Sequence, residues 1–585
     1  MSRVPVRITV EIILYAPFHV GGGKGGAGTC SYLARDGVGK PYWPGSSFKG
    51  KVRHYARLLY ENGKTNDEEP CIFEHGMKDL DDVKSCSCMI CDMLGGAGNA
   101  KGGLLFGDMM PETVMEEMRA GNAIDRYRRT AKDDHLFQIE TASADKLTGI
   151  ITGTLDKENY KRQCELLVAA IKAIPHIGGN TGRGLGWIAE NGIKVDIEEV
   201  NQETSSGQAE NLPYITLPVK ITAESPLLIG TKTSESNFRT TLHYIPGAVV
   251  RAALAQALIA QDGGAEKGKI NWVAPEGGKG QFPSLRKAFS ELRITQFLPS
   301  CRFHFGGCHF APMTAEHPKY DSKEEPKCDS KQSSDALLNQ CRGDVPAGRV
   351  KGFINNYGEL AEPVRTMVVS KSAMNRFSGT SQDEMLFSME VMVPPVVFEG
   401  SVNGAFDPEE LVRLTERGIR VGGYQTAGYG QCTVTVLPPS DDADTSENLK
   451  ERIKKCDGKI PVTLLSDAIV SLELPDDISN DGYLQAYQAA LFSVLPGVKL
   501  LKAIAQHSQW RGFDTSKPTG FLNEPAHIIK AGAVFLLEAP ELTGELFDAL
   551  LALQARGICK ENRHNLNGYG QVRVADEYHF LREDK

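Results

Sequence analysis

The chain has 585 residues, too many for a single hydrophobic core and enough for several domains. Its 41% apolar and 24% charged residues are those of an ordinary globular protein; no apolar run is long enough to span a bilayer and the N-terminus lacks a signal-peptide core, so a cytoplasmic location is expected. The net charge of −9 excludes a surface coated in basic groups, yet leaves room for a local basic groove.

Residues 4–15 alternate polar and apolar with β-branched side chains, which predicts a strand. Glycines at 21–28 predict a loop, and 33–36 a short strand before a turn at Gly37. Pro44-Gly45-Ser46-Ser47 supplies a turn and an N-cap ahead of a helix over 48–60, with Lys49, Lys51, Arg53 and Arg57 in its first turns. A second helix is predicted over 166–174 and a final strand over 187–195. Strands and helices in this order fit a ferredoxin-like βαββαβ domain with large insertions over 1–200. Polar, aperiodic residues 201–213 read as a linker, and a strand at 214–221 opens a second domain over 214–437. The acidic, Pro/Ser-rich start of 438–460 reads as a second linker. Residues 461–585 then predict an apolar stretch at 462–474, a helix over 484–504, a strand over 531–537, a helix over 542–556 and a last glycine loop at 557–570. We read them as a third, partial domain.

A composite pattern recurs along this chain in fixed order. The first copy holds Phe18-His19-Val20-Gly21-Gly22, the Pro44-Gly45 helix start, Ile124-Asp125-Arg126, Leu136-Phe137-Gln138-Ile139-Glu140 and a closing glycine loop at 178–186. The second holds Pro226-Leu227-Leu228-Ile229-Gly230, Pro246-Gly247, Met374-Asn375-Arg376, Leu386-Phe387-Ser388-Met389-Glu390 and a closing loop at 422–430. The third segment keeps only its closing loop, Asn565-Leu566-Asn567-Gly568-Tyr569-Gly570. Glycine-rich loops let backbone N–H groups approach a phosphate, and helix N-termini favour anions. Lys24, Lys49, Lys51 and Arg183 are the cations beside these loops. Read singly, such glycines are tight turns and such lysines a solvated face; their ordered recurrence favours a chain of phosphates as the ligand.

Several of these landmarks belong to a known pattern. His19-Val20-Gly21-Gly22, Leu33-Ala34-Arg35-Asp36, the 44–53 helix start, Cys91-Asp92-Met93-Leu94-Gly95, Leu105-Phe106-Gly107-Asp108, Ile124-Asp125-Arg126 and Gly182-Arg183-Gly184 stand in one order. On these residues, 1–200 resembles the backbone subunit of type III CRISPR effector complexes, within the RAMP superfamily. Residues 214–585 are similar to the tandem RAMP subunit of type III-D systems, a relative of the subunit that caps the 5′ end of the guide. That likeness is carried by Ser225-Pro226-Leu227-Leu228-Ile229-Gly230, Tyr244-Ile245-Pro246-Gly247, the 422–430 loop, Trp510-Arg511-Gly512-Phe513 and the 557–570 end. The resemblance implies an α+β fold of tandem ferredoxin-like, RRM-like RAMP domains with zinc-binding and hairpin insertions. It implies a scaffold for CRISPR guide RNA, a backbone fused to a cap. A thumb-like hairpin at about 110–142 would kink the guide–target duplex. The implied contacts are His19, Gly21, Gly22, Lys24, Ser46, Ser47, Lys49, Lys51, Arg53, Arg126, Arg128, Arg183, Arg251 and Arg376. The implied partners are guide and target RNA, other RAMP backbone subunits, a large polymerase/cyclase-like subunit and a small subunit, with no membrane.

Thirteen cysteines is an odd count, and they cluster. Cys71, Cys86, Cys88 and Cys91 suit a closed tetrahedral Zn²⁺ site that would hold the insertion at about 70–95 folded. Cys301, Cys308, Cys328 and Cys341 form a second, more widely spaced set, with His304 and His309 nearby. Backbone subunits of the resembled family cut target RNA with an aspartate in the opening loop; the matching position here is Cys30, and 21–33 contains no carboxylate. Asp36 is the remaining candidate beside a divalent cation such as Mg²⁺, although a turn-starting aspartate is the plainer reading. Glu235 reads as a solvated loop carboxylate, and His19 and His564 are the other candidates for an endoribonuclease. Three readings stand: an RNA-binding scaffold, an endoribonuclease, and a zinc-stabilised protein-binding scaffold without RNA. The missing loop carboxylate favours the first.

Overall fold

The computed structural model describes residues 3–24, 30–36, 39–62, 88–95, 102–199, 212–231, 237–261, 281–300, 308–318, 334–335, 337, 347–355, 358–374, 381–438, 446–470, 479–510, 513–514, 521–522 and 526–580. The first module runs β1 (Arg3–Leu14), β2 (Gly21–Lys24), β3 (Cys30–Leu33), α1 (Gly45–Asn62), α2 (Met89–Leu94), β4 (Leu104–Phe106), β5 (Met110–Pro111), β6 (Met115–Ile124), β7 (Ala131–Ser143), β8 (Lys146–Asp156), α3 (Tyr160–Lys172) and β9 (Ile188–Glu199). The alternation in β1 buries Val6, Ile8, Val10 and Ile12 against Phe48, Val52 and Ala56, which lie four apart along α1, and against Leu167 and Ile171 of α3. The sheet order β4-β8-β1-β9 places the second, third, first and fourth core strands side by side. With one helix after the first strand and one after the third, this is the ferredoxin-like arrangement expected for the module.

The second module holds β10 (Ile215–Ala223), β11 (Phe238–Arg239), α4 (Gly247–Gln261), α5 (Pro283–Ala288), β12 (Arg293–Ile294), β13 (Leu298–Pro299) and five short strands, β14 (His309–Phe310), β15 (Ala315–Pro318), β16 (Ser334–Asp335), β17 (Ala347–Arg349) and β18 (Phe353–Ile354). It continues with β19 (Thr366–Met374), β20 (Ser381–Met392), β21 (Val396–Gly404), α6 (Pro408–Thr415), β22 (Ile419–Arg420) and β23 (Gln431–Val436). Its order β12-β21-β10-β23 repeats that of the first module, with β22 added at the edge.

The third module comprises α7 (Ser446–Lys454), β24 (Lys459–Leu464), β25 (Ala468–Val470), α8 (Asn480–Leu491), β26 (Lys499–Ile504), β27 (His507–Trp510), β28 (Phe513–Asp514), β29 (Phe521–Leu522), β30 (Ala526–Ile529), β31 (Val534–Glu538), α9 (Gly544–Arg556), α10 (Asn562–Leu566) and β32 (Val572–Val574). Its order β26-β31-β24-β32 is again second-third-first-fourth. The third segment therefore has the whole ferredoxin-like topology and is not a partial domain. Two further expectations are corrected. The helix expected over 484–504 stops at Leu491, because Pro496 and the left-handed Gly497 turn the chain into β26. The linker expected over 438–460 contains α7, whose Leu449 and Ile453 are buried in the third core.

Each module carries a long hairpin between its second and third core strands, joined to its opening segment. The sheets β2-β3-β7-β6, β11-β20-β19 and β25-β30-β27 are these hairpins with their partners.

The modules join head to tail. The closing loop of the second module seats on the start of α1, where a Cβ on Gly428 would lie 2.8 Å from Asp108 Oδ1 and 3.5 Å from Gly45 Cα. Lys371 of β19 adds a contact, its Nζ 3.4 Å from Ser46 Oγ. The closing loop of the third module seats on the start of α4 in the same way. Arg251 donates from Nε to Asn567 Oδ1 at 2.7 Å and from an Nη to the Leu566 carbonyl at 2.9 Å, and Gln296 Nε2 donates to the Gly568 carbonyl at 2.9 Å.

Candidate nucleic-acid interface

The opening turn and closing loop of each module meet through backbone hydrogen bonds. In the first module Gly186 N–H donates to the Pro17 carbonyl at 2.7 Å and Gly179 N–H to the His19 carbonyl at 2.8 Å. In the second, Gly430 and Gly423 donate to Pro226 and Leu228, both at 2.9 Å. In the third, Gly570 donates to Asp467 at 2.9 Å. The repeated glutamate has a matching role. Glu140 Oε2 accepts the Leu33 N–H at 2.8 Å and Glu390 Oε2 the Thr241 N–H at 3.4 Å, so each ties its long hairpin to the returning strand of the opening loop. Arg35 bridges Glu140 and Glu116 across that junction, and the hydrogen bonds it donates to Glu116 are the main influence raising its already high pKa.

The β6–β7 hairpin projects from this frame. At its tip Asp125 Oδ1 accepts the N–H groups of Tyr127 at 2.8 Å and Arg128 at 2.9 Å, which lowers the Asp125 pKa and fixes the turn. Arg126, Tyr127 and Arg128 are exposed there, Tyr127 at 97%. Nearer the tip than the base, where Phe137 pairs with Gly121, the Arg183 guanidinium lies 4.5 Å from the centre of the Phe137 ring. The second module builds a related site. Tyr424 stacks on Phe387 at 6.2 Å with 22° between ring planes, and Arg239 lies 5.7 Å from the Tyr424 centroid. A cavity of about 370 Å³ opens between the opening segment and the closing loop, lined by Leu228, Thr231, Arg239, Thr240 and Tyr424 among others. Arginine on an aromatic ring beside an open groove is the chemistry that binds unpaired bases and their phosphates. Phe137 and Phe387 are visible in the sequence as repeated landmarks. Tyr424 stands in the repeated closing loop, but Arg239 is in no landmark, and nothing local says that it meets a ring about 185 residues away.

Several expected contacts are committed elsewhere. His19 is 4% exposed, with Nδ1 2.7 Å from the Glu140 carbonyl and Nε2 3.0 Å from Ser31 Oγ, so it braces the opening turn from inside. The N-terminus of α1 already holds an anion: Asp108 Oδ1 accepts the Gly45 N–H at 2.6 Å. With the second module packed over it, the start of α1, including Ser46, serves a junction rather than an open phosphate cradle. Burial pushes Asp108 up to about 6, Lys371 down to about 8 and Arg420 down to about 10 at this junction. Lys51 Nζ lies 3.2 Å from His176 Nδ1, and burial lowers its pKa. Arg53 donates to the Leu94 and Gly95 carbonyls and so caps the C-terminus of α2. Arg251 is the bolt of the second junction, and burial lowers its pKa to about 10. Gly21, Gly22 and Ser47 are exposed and Lys49 is half-buried. The Lys24 side chain, Arg376 and Glu235 lie outside the described residues.

Asp36 Oδ1 accepts the Lys40 N–H at 2.7 Å, as a turn-starting aspartate does. His564 is buried in the third closing loop, with Nε2 3.5 Å from Glu561. Cys88 and Cys91 share the first turn of α2, where Cys88 Sγ accepts the Cys91 N–H at 3.4 Å; Cys71 and Cys86 lie outside the described residues. Two sulfurs on one turn, with an amide N–H directed at one of them, suit half of a thiolate metal site. Cys308 is buried; Cys301, Cys328 and Cys341 lie outside the described residues. No described helix is long and apolar enough to cross a membrane.

These features define a head-to-tail array of three ferredoxin-like modules, each with a long hairpin beside a glycine-gated opening. Residues 13–189 match the family model of the RAMP superfamily, which covers most of the first module. No curated protein matches the chain.

Proposed function

We propose that the chain is a guide-RNA-binding scaffold subunit of a type III CRISPR effector complex, holding the 5′ part of the guide and organising a backbone of further RAMP subunits. The observation that carries this reading is the pairing of arginine and aromatic side chains at equivalent places in two modules. Arg183 on Phe137 and Arg239 on Tyr424–Phe387 both stand where a long hairpin meets a closing loop. The exposed Arg126-Tyr127-Arg128 turn adds cations and one ring at the tip of the hairpin that carries Phe137. The RAMP match over 13–189 supports the RNA partner. Cys71, Cys86, Cys88 and Cys91 are read with it as a structural zinc site.

The test is binding of labelled guide RNA by the purified chain across a salt series. The log–log slope should be about −0.7 per neutralised phosphate. A combined Arg126→Ala, Arg128→Ala, Arg183→Ala variant should flatten that slope by about two units, the loss of about three phosphate contacts. A slope that does not change removes this face from RNA binding.

A further inference from the structure

The second module's sheet buries Leu217, Val219 and Ile221 of β10 against its helices, and the alternate residues form its outer face. Directly paired residues of antiparallel strands share a face, so that outer face can be read row by row. Lys220 and Glu399 pair in register and form an ion pair at 2.9 Å, and Ser300 Oγ donates to Glu399 Oε1 at 2.8 Å. One row on, Thr295 Oγ1 accepts the Ser401 N–H at 2.7 Å. The next row is Arg293 of β12, Asn403 of β21 and Thr216 of β10. Here the pairing stops. Asn403 is only 8% exposed, yet among the described residues its side chain makes no hydrogen bond, and its Oδ1 is buried. Arg293 makes no hydrogen bond or ion pair among them either, and its Nε is buried too.

A buried amide and a largely buried guanidinium without partners are costly, and such groups in a native fold call for an occupant. Burial lowers the Arg293 pKa, and the Tyr214 phenol is the one described titratable group whose charge acts on it; no described carboxylate neutralises it. Tyr214 stands two residues before Thr216 and is 63% exposed. The corner thus offers a cation, an uncommitted amide and an open ring. We propose that it is a binding site for an adenine nucleotide, with Arg293 on the phosphate, Asn403 on the base edge and Tyr214 against the base. A guanidinium forks onto phosphate oxygens. An asparagine amide meets adenine at N6 and N7, one bond given and one received. A tyrosine ring stacks on any base.

This corner is not the hairpin face. Tyr214 precedes β10, and the opening turn at 226–230 follows the other end of that strand. At about 3.3 Å per residue the strand sets the two about 30 Å apart. The inference therefore does not rest on the function proposed above. A simple carboxylate or inorganic phosphate fits less well, because it would engage Arg293 and leave the buried Asn403 Oδ1 without a donor. The N6 amino group of adenine supplies that donor.

The experiment is equilibrium binding of AMP to the full chain by isothermal titration calorimetry. The comparators are ribose 5-phosphate, which lacks the base, and IMP, which carries an oxygen in place of the N6 donor. AMP should bind at least about fivefold tighter than either. Arg293→Met keeps a buried apolar stem and removes the guanidinium, and should weaken AMP at least about tenfold. Asn403→Leu replaces an amide that bonds to nothing by an apolar group of similar size. Amide exchange over β12 and β21 should therefore not quicken in that variant, while its preference for AMP over IMP should vanish. Failure of the wild-type chain to bind AMP, equal affinity for AMP and ribose 5-phosphate, or unchanged AMP binding in both variants overturns the inference. Faster exchange in Asn403→Leu with the AMP preference intact also overturns it and makes Asn403 a packing residue. A short oligo(A) strand that displaces AMP assigns the site to a nucleotide within a strand, and one that leaves AMP in place assigns it to a free nucleotide; either sustains the site.

Discussion

Three glycines in one conformation offer a controlled comparison of the module junctions. Replacing Gly184, Gly428 or Gly568 by alanine forces a Cβ onto a backbone with φ between +81° and +95°. That alone costs about 1–2 kcal/mol. At Gly184 nothing else is added, because no atom of the described residues would lie within 4 Å of the new methyl. At Gly428 the new methyl would sit 2.8 Å from Asp108 Oδ1, and at Gly568 it would sit 2.7 Å from the Ile294 carbonyl and 3.1 Å from Gln296 N. Overpacking of that kind adds about 1–3 kcal/mol, so the junction variants should lose about 2–5 kcal/mol in all. A multi-module chain does not unfold as one unit, so the readout is amide hydrogen exchange at the receiving helices and not a single melting temperature. Gly428→Ala should speed exchange over the first turns of α1, Gly568→Ala over those of α4, and Gly184→Ala over neither. Equal effects from all three, or changes spread evenly over the chain, would refute the assignment of these loops to the junctions.

Further outcomes follow from the same contacts. Arg251→Met leaves the Phe289, Leu292 and Leu566 carbonyls and Asn567 Oδ1 without their donor, and should loosen the second junction by about 3 kcal/mol or more, seen as faster proteolytic separation of 446–580. The first junction should depend on pH. Burial raises Asp108 from 3.8 to about 6, so the protonated form is favoured in the fold. Its contribution is complete below about pH 4 and falls by up to about 3 kcal/mol as pH rises through 6. Asp108→Asn should flatten that limb in pH-dependent exchange at α1, and an unchanged slope would assign it to other groups. Metal analysis of the purified chain should find about one zinc per chain, lowered by Cys91→Ser or Cys71→Ser; full occupancy in both variants would remove these cysteines from a metal site.

Much of the architecture was legible because it rests on local chemistry. The alternation in β1, the Pro-Gly helix start at 44–45 and the left-handed glycines of the closing loops are written within a few residues of one another. The third module was read as partial because its opening lacks the Pro-Gly helix start, while its completeness lies in strand order, which no local pattern displays. The helix expected over 484–504 illustrates the same limit: apolar spacing continued through a break that Pro496-Gly497 imposes.

The sequence by itself determined the modules, their order and the recurrence of loop, helix, hairpin and closing glycines, because period, turn and cap are short-range properties of a chain. Only the tertiary structure decided what those parts face. Asp108 fills the helix N-terminus that phosphate was expected to fill, from 63 residues away, and Arg251 bolts a junction to Asn567 across 316 residues. The partner of a part-buried charge is set by which surfaces the folded modules bring together, and a one-dimensional spacing carries no record of that choice.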